Sequence, residues 1–481
     1  MQRSRLPGWV WVAVVFTAAV AALGGRYGFH RDELYLVEAG RHPALAHPDQ
    51  PALVPLLARA AYGLVGGSLP AFRLVPALAG GLVVVVAALT ARELGHGRRD
   101  QTWAAVVVGT STTMFVAAHL FGTTVFDVLL TATTLLLLLR ALRLGGPGPW
   151  LVTGFCAALA LGVKTLPATV LACALLALVL VGPRAVLRSR WPYAAAGLAL
   201  LGLTPTLWWQ QANGWPQLAM AAAIADGGSG TSVDRALLLP LLLTLTGPPT
   251  AAVLVVGAVA LWRRRELRWA AVTAGLLVVV LLLTGGKPYY LMGVVPLLVA
   301  EGVPACLRWA ARRRGRGRGL AAVVVLNGVV GAFVGLPLLP AALAPVAVVY
   351  DHGEQVGWEE LVDTVAGAAS DSDAELVLTG NYGQAGALDR ARGQGVALPP
   401  VVSGHNGYWW WGPPDGEPAT VVAVGRWSDA DLARWFSRCE QVASVSNAAG
   451  VDNDEAGTPV RTCSGPRGSW ADLWPDLKRL G

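Results

Sequence analysis

The chain has 481 residues, 54% hydrophobic and only 14% charged, with a mean hydropathy of +0.52. Globular proteins carry about 25% charged residues, and the apolar excess here comes in uninterrupted blocks such as 80–90, 134–139 and 274–283. This excludes a soluble enzyme, a disordered chain and a disulfide scaffold, and recurrence of the blocks along most of the chain excludes a secreted protein with one cleaved signal. The net charge of +7 is not read as a nucleic-acid footprint, because its meaning depends on where the cations lie. The composition predicts a polytopic α-helical membrane protein with a soluble tail.

Windows long enough to span a ~30 Å hydrocarbon core fall at 8–23, 73–94, 103–120, 123–142, 150–163, 166–181, 192–209, 236–262, 269–284, 289–307 and 320–343. The pair 150–163 and 166–181 reads as two spans or as one long tilted helix. With the N-terminus in the cytoplasm, alternate loops hold twenty basic residues, among them Arg263, Arg264, Arg265, Arg268 and the run from Arg308 to Arg318. The opposite loops hold eight: Arg26, Arg31, Arg41, Arg59, Arg73, Lys164, Arg235 and Lys287. The positive-inside rule therefore favours this orientation and eleven spans, since merging 150–181 would invert every later loop.

An odd number of spans places the tail, from about residue 348, outside the cytoplasm. The tail is acidic, with 19 acidic and 9 basic residues. Its pattern predicts a small α/β domain over 348–481: strands at 374–378, 420–424 and 442–446, and a helix over 429–436 with Ser428 as N-cap. Cys156, Cys173 and Cys306 lie in spans and read as small apolar residues. Cys439 and Cys463 are the only two in the tail, a disulfide candidate in an oxidising compartment.

Ionisable residues at the membrane are costly and mark functional candidates. The first outer loop, about 24–72, is too long for a passive connector and carries Asp32, Glu33 and Asp49. Its apolar stretch 52–65 could lie along the interface. Asp127 opens the fourth span, Lys164 breaks the run 150–181, and Lys287 precedes the tenth span beside Tyr289 and Tyr290. On this topology the acids and lysines converge on one face. A carboxylate there can take a proton from an acceptor hydroxyl, and cations can hold a phosphate leaving group.

These residues resemble the GT-C glycosyltransferases, in particular the protein O-mannosyltransferase and aminoarabinose-transferase group (families 39 and 83). Asp32-Glu33-Leu34-Tyr35 looks like the group's first acidic motif. His47-Pro48-Asp49-Gln50-Pro51-Ala52-Leu53 looks like its Asp-His-Pro-Pro-Leu segment, with Gln50 and Ala52 departing from the common form. Phe72-Arg73-Leu74, Leu161-Gly162-Val163-Lys164 and Lys287-Pro288-Tyr289-Tyr290-Leu291 also match. In the tail, Asn381-Tyr382-Gly383-Gln384-Ala385, Ser403-Gly404-His405-Asn406-Gly407-Tyr408-Trp409 and Trp411-Gly412-Pro413 resemble a bacterial branch with an extracytoplasmic C-terminal domain.

The resemblance implies a transmembrane domain over 1–347 in the bacterial cytoplasmic membrane. It implies an inverting transfer of a sugar from a polyprenyl-phosphate donor to a lipid, glycan or protein acceptor. Asp32 would be the general base, with Glu33 and Asp49 positioning acceptor or sugar. Asp127 would be the second acidic position, and Arg73, Lys164 and Lys287, with Tyr290, would meet the phosphate end of the donor. A divalent metal is used by some members and not by others, so it stays open.

Each residue also has a plainer reading. Asp32 and Glu33 suit a solvated loop, Asp127 a helix cap, Lys164 a snorkelling span end, and Lys287 an interfacial anchor. The segment 408–411 suits a packing contact. Asp371-Ser372-Asp373 is an ordinary turn rather than a nucleotide-sugar motif. The alternative function is a polyprenyl-lipid flippase or transporter, which predicts matched halves and midplane charges; neither is present in the sequence. The topology predicts that a reporter cysteine in the tail reacts with an impermeant maleimide added to intact cells. Labelling only after lysis would overturn the span count.

Overall fold

The computed structural model of the protein describes residues 6–225, 234–344, 346 and 349–480. Most of the chain before the tail is helical, as apolar backbone in a bilayer requires. α1 (Gly8–Ala21) leads to two helices of the first loop, α2 (Arg31–Ala39) and α3 (Leu53–Leu64). Then follow α4 (Leu69–Glu93), α5 (Arg98–Gly109), α6 (Thr112–His119), α7 (Thr123–Leu144), α8 (Pro147–Val163) and α9 (Leu166–Val181). The remaining bundle helices are α10 (Trp191–Ala212), α11 (Pro216–Ala225), α12 (Leu238–Thr246), α13 (Pro248–Arg263), α14 (Arg268–Thr284), α15 (Val295–Ala311) and α16 (Arg316–Gly335).

All eleven apolar windows are helical in whole or part, but several are not single straight spans. Among the described residues, five helical segments are long and apolar enough to cross a membrane: Leu69–Glu93, Thr123–Leu144, Arg265–Thr284, Pro288–Ala311 and Arg316–Gly335. The window 103–120 is broken between α5 and α6. The window 236–262 is α12 and α13 bent by 109°. The bend sits at Gly247, whose φ of +83° suits glycine, and Pro248 and Pro249 then start a new helix. The last window ends at Gly335 rather than 343, ahead of Pro337 and Pro340, which cannot continue the ladder. The run 150–181 is two helices, separated at Lys164 and Thr165.

Small residues set the tightest crossing. A Cβ at Gly257 of α13 would strike the Leu298 carbonyl, and one at Gly302 of α15 would strike the Val253 carbonyl, so these backbones touch. α4, about 37 Å long at 1.5 Å per residue, fixes the two ends of the bundle. Arg73 lies near its start. At its other end Glu93 pairs with Arg143 at 2.6 Å, and nearby His96 and Arg264 meet the buried Glu301 at 2.8 and 3.4 Å. Arginine-rich loops therefore gather opposite the Arg73 end. In the first loop, α3 buries Val54, Pro55, Ala58 and Ala61 and exposes Leu53, Leu56, Leu57 and Leu64.

The tail comprises α17 (Trp358–Asp371), β1 (Leu376–Thr379), α18 (Tyr382–Gly393), β2 (Val401–Ser403), α19 (Gly407–Trp410), β3 (Thr420–Val424), α20 (Asp429–Trp435), β4 (Phe436–Ser444), β5 (Pro459–Pro466) and α21 (Trp470–Leu473). Its five-stranded sheet has the order β2-β1-β3-β5-β4. β1 runs parallel to β2 and β3, and β5 is antiparallel to β3 and β4. β1 is buried along its length, as a strand covered on both faces is.

The predicted strand 420–424 coincides with β3, and Ser428 does cap α20 by accepting from the Asp431 N–H. The strand predicted at 374–378 begins two residues later. The strand predicted at 442–446 is the far end of β4, which starts at Phe436. β4 pairs on one side only and is largely exposed, so it lacks the apolar alternation of a buried strand. Cys439 and Cys463 face each other across β4 and β5 and are disulfide-bonded, with Cα atoms 4.1 Å apart. Replacing both by serine is expected to destabilise the tail by about 3 kcal/mol on the loop-entropy relation, measurable by pulse proteolysis of the β4–β5 edge.

Candidate active site

The site begins at the N-terminus of α2. His30 caps the helix, its Nδ1 accepting from the Asp32 N–H at 3.1 Å, while Glu33 accepts from the His30 N–H at 2.8 Å. This is a capping box with histidine in the place of serine or threonine. Successive helical residues point about 100° apart, so the capped turn sends Glu33 inward and Asp32 outward.

Glu33 is fully buried. It accepts from Arg73 Nε at 2.9 Å, Arg73 Nη2 at 2.7 Å and the Phe121 N–H at 2.8 Å. Arg73, equally buried, also donates to the carbonyls of Gly24, Arg26 and Gly28 at 3.2, 3.3 and 2.6 Å. Its Nη1 lies 3.2 Å from His119 Nε2. Neither side chain lines the large cavity next to it. This differs from the expectation that Glu33 meets substrate and Arg73 meets phosphate: each is engaged by the other and by backbone.

Asp32 is exposed on the wall of that cavity, which measures about 910 Å³. Lys164, Lys287, Tyr289 and Asp351 line it from the membrane domain and its junction with the tail. The tail closes it with Tyr382, His405, Arg426 and Arg479. Tyr382 donates to Asp32 at 2.8 Å. Lys164 sits in extended backbone at the α8–α9 break, its Nζ 4.8 Å from the centre of the Tyr290 ring and 5.7 Å from that of Tyr289. Lys287 is buried just before the span that starts at Pro288. Burial and the charge of Lys164 lower its amine to about 8.

The other predicted positions lie apart from the cavity lining. Asp127 is buried on α7 and accepts from the Thr131 hydroxyl at 3.0 Å. Asp49 accepts from the Tyr35 hydroxyl at 2.9 Å. Burial pushes its carboxyl up from 3.8 to about 7, although the Tyr35 bond pulls the other way. The loop around Asp49 is held by Gln210 on the His47 carbonyl at 3.1 Å and Gln217 on the Asp49 carbonyl at 3.3 Å.

Two features escaped the sequence reading. Asp351 follows the last membrane helix and its Oδ1 lies 3.4 Å from His30 Nε2. Burial acts to raise Asp351, but the hydrogen bond and charge of His30 outweigh it and hold the carboxyl below its usual range. Arg31 pairs with Glu354 and Asp454, each at 2.9 Å, and lies 4.8 Å from the Tyr382 ring centre. These contacts join residues hundreds of positions apart, and no local motif announces them. Among the described residues, no three His, Cys, Asp or Glu side chains converge as a metal site.

Residues 49–209 match the family model of dolichyl-phosphate-mannose-protein mannosyltransferase. The chain superposes on ArnT from Cupriavidus metallidurans bound to undecaprenyl phosphate with a TM-score of 0.63 and 18% identity, covering 96% of this chain and 100% of that one. The chain has the GT-C glycosyltransferase fold. Two other GT-C structures share it more distantly. The Archaeoglobus fulgidus oligosaccharyltransferase gives a TM-score of 0.50 at 12% identity over 86% of this chain and 68% of that one. The mycobacterial arabinofuranosyltransferase AftD gives 0.52 at 14% over 97% of this chain and 41% of its own. A search of curated proteins finds no match.

Two predictions follow from this geometry. Removing one partner of the Glu33–Arg73 pair strands a buried charge, so Arg73→Met is expected to cost roughly 3–5 kcal/mol, read as a large drop in the melting temperature of the detergent-solubilised protein. For Asp49, the folded-state pKa lies above the unfolded value. The protonated form is therefore favoured by folding, and stability from this group falls as pH rises from about 4 towards about 7. Melting curves across that range should show the fall in the wild type and a smaller one in Asp49→Asn; equal slopes would count against it.

Proposed function

We propose that the protein transfers a sugar from a polyprenyl-phosphate donor to an acceptor hydroxyl, with inversion, at the outer face of a bacterial cytoplasmic membrane. The observation that carries this reading is one cavity lined by an exposed carboxylate, Asp32, and two lysines, Lys164 and Lys287. The family model and the likeness to ArnT with its bound undecaprenyl phosphate support it.

In the proposed reaction the acceptor oxygen attacks the anomeric carbon as Asp32 takes its proton. The bond from that carbon to the phosphate oxygen breaks, and the polyprenyl phosphate leaves with the electron pair. Lys164 and Lys287 stabilise the negative charge that builds on the phosphate. Glu33 and Arg73 act as positioning residues, holding the capped turn that presents Asp32. Tyr382 orients the Asp32 carboxylate from above, and Asp49 steadies the same wall through Tyr35. The acceptor is a lipid, a glycan or a protein.

Asp32→Asn keeps the shape of the side chain but removes its basicity. Turnover is expected to fall at least ~100-fold with the melting temperature unchanged; near-normal transfer would rule Asp32 out as the base. Lys164→Met is expected to lower turnover by a similar order and to weaken binding of polyprenyl phosphate. Mass spectrometry of envelope glycans from a deletion strain and its parent identifies the missing sugar and acceptor.

A further inference from the structure

A second cavity of about 490 Å³ lies beside the first. It is walled by Trp209, Trp410 and Trp411, with Arg41, His42 and Asn213 among its polar lining. Two segments supply the indoles. Trp209 is on α10, Trp410 ends α19, and Trp411 follows it. Two of them are held in place: Trp410 Nε1 donates to Asn213 Oδ1 at 3.0 Å, and His42 stacks on Trp411 at 4.1 Å and 8°. All three remain partly accessible.

Tyr35 lines neither cavity but packs against one lining residue of each. Tyr35 packs 6.3 Å from Trp411 on one side and 4.9 Å from Tyr382 on the other. Its hydroxyl accepts from the Gly407 N–H at 3.2 Å and donates to Asp49 at 2.9 Å. Gly407 lines the second cavity, while Tyr382 lines the first and bonds Asp32. A ligand seated among the tryptophans is therefore separated from Asp32 by the Tyr35 and Tyr382 rings and lies outside the donor cavity.

We propose that this second cavity is a carbohydrate subsite that holds a glycan portion of the acceptor. The C–H face of a sugar ring is attracted to an electron-rich indole face, which Trp209 offers while His42 stacks on Trp411 and Lys478 lies 4.4 Å from the centre of the Trp410 ring, and its hydroxyls suit the imidazole and amide groups at the edge. A phosphate headgroup is a poorer fit. The one arginine is already paired with Glu38 at 2.8 Å, and His47, lowered by burial to about 4, brings no charge at neutral pH. Trp208 and Trp215, exposed beside this wall, are the type of residue that settles at a membrane interface, where the glycan of a membrane-bound acceptor emerges. The proposal rests on the transferase reading and narrows its acceptor to one that carries sugar.

The test is binding, not turnover. Saturation-transfer NMR on the full-length protein in detergent would use α-1,6-mannotriose, α-1,5-arabinofuranotriose and chitotriose as probes. At least one trisaccharide is expected to take up saturation. Trp209→Leu is expected to weaken its binding about fivefold or more, and Trp209→Phe to restore it. Asp32→Asn should bind like the wild type, so loss of transfer in that variant and loss of sugar binding are separate results. If Trp209→Leu does not fold, His42→Ala at the exposed rim replaces it, with the same direction expected. Absence of saturation for all three sugars, binding that survives the chosen variant, or displacement by sn-glycerol 1-phosphate at equal concentration would each overturn the subsite while leaving the assignment of Asp32 intact.

Discussion

The buried Glu33–Arg73 pair organises the end of the molecule that carries Asp32. One bidentate contact ties the first loop to α4, and the same carboxylate accepts from the Phe121 N–H between α6 and α7. Arg73 then gathers three carbonyls from the stretch before α2. A charge pair this deep is tolerable only because its hydrogen-bonding capacity is largely used. Its consequence is directional: with Glu33 pulled inward, the preceding residue faces the cavity.

The tail completes the site. α18 lies against α2, close enough that a Cβ at Gly386 would crowd Leu34 at 2.9 Å and one at Gly383 would crowd Arg31 at 2.9 Å. Trp358 Nε1 donates to the Phe29 carbonyl at 2.8 Å, and Tyr382 reaches Asp32. The sheet thus carries a roof whose polar side chains face the membrane domain. The motifs around 381–385 and 403–409, which suggest a branch of the family in the sequence, supply Tyr382 of the roof and the Gly407 N–H that donates to Tyr35.

Charge is divided along the bundle. Lys164 and Lys287 stand at helix breaks on the Asp32 end, where extended or 3₁₀ backbone lines a cavity. Irregular backbone at membrane level is stable only where protein or a polar cavity can satisfy it. The arginine-rich loops lie at the other end, around Glu93 and Glu301. That leaves the few cations near Asp32 as components of the site rather than part of a general basic surface.

Hydropathy and helix-breaking residues determined much of this from the sequence: the helical windows, the break at Lys164, the acidic first loop, the asymmetry of arginine and the existence of a separate α/β tail. These are local signals, written in consecutive residues. The bend at Gly247 and the early start of β4 were less legible, because each depends on what packs or pairs alongside. From the sequence, both Asp32 and Glu33 are expected to meet substrate, Asp32 as the base and Glu33 as a positioning group. Only the tertiary structure separated them, since the partner that buries Glu33 is forty positions away and the hydroxyl that meets Asp32 is 350 away. Side-chain direction and site composition come from such long-range contacts, which periodicity does not encode.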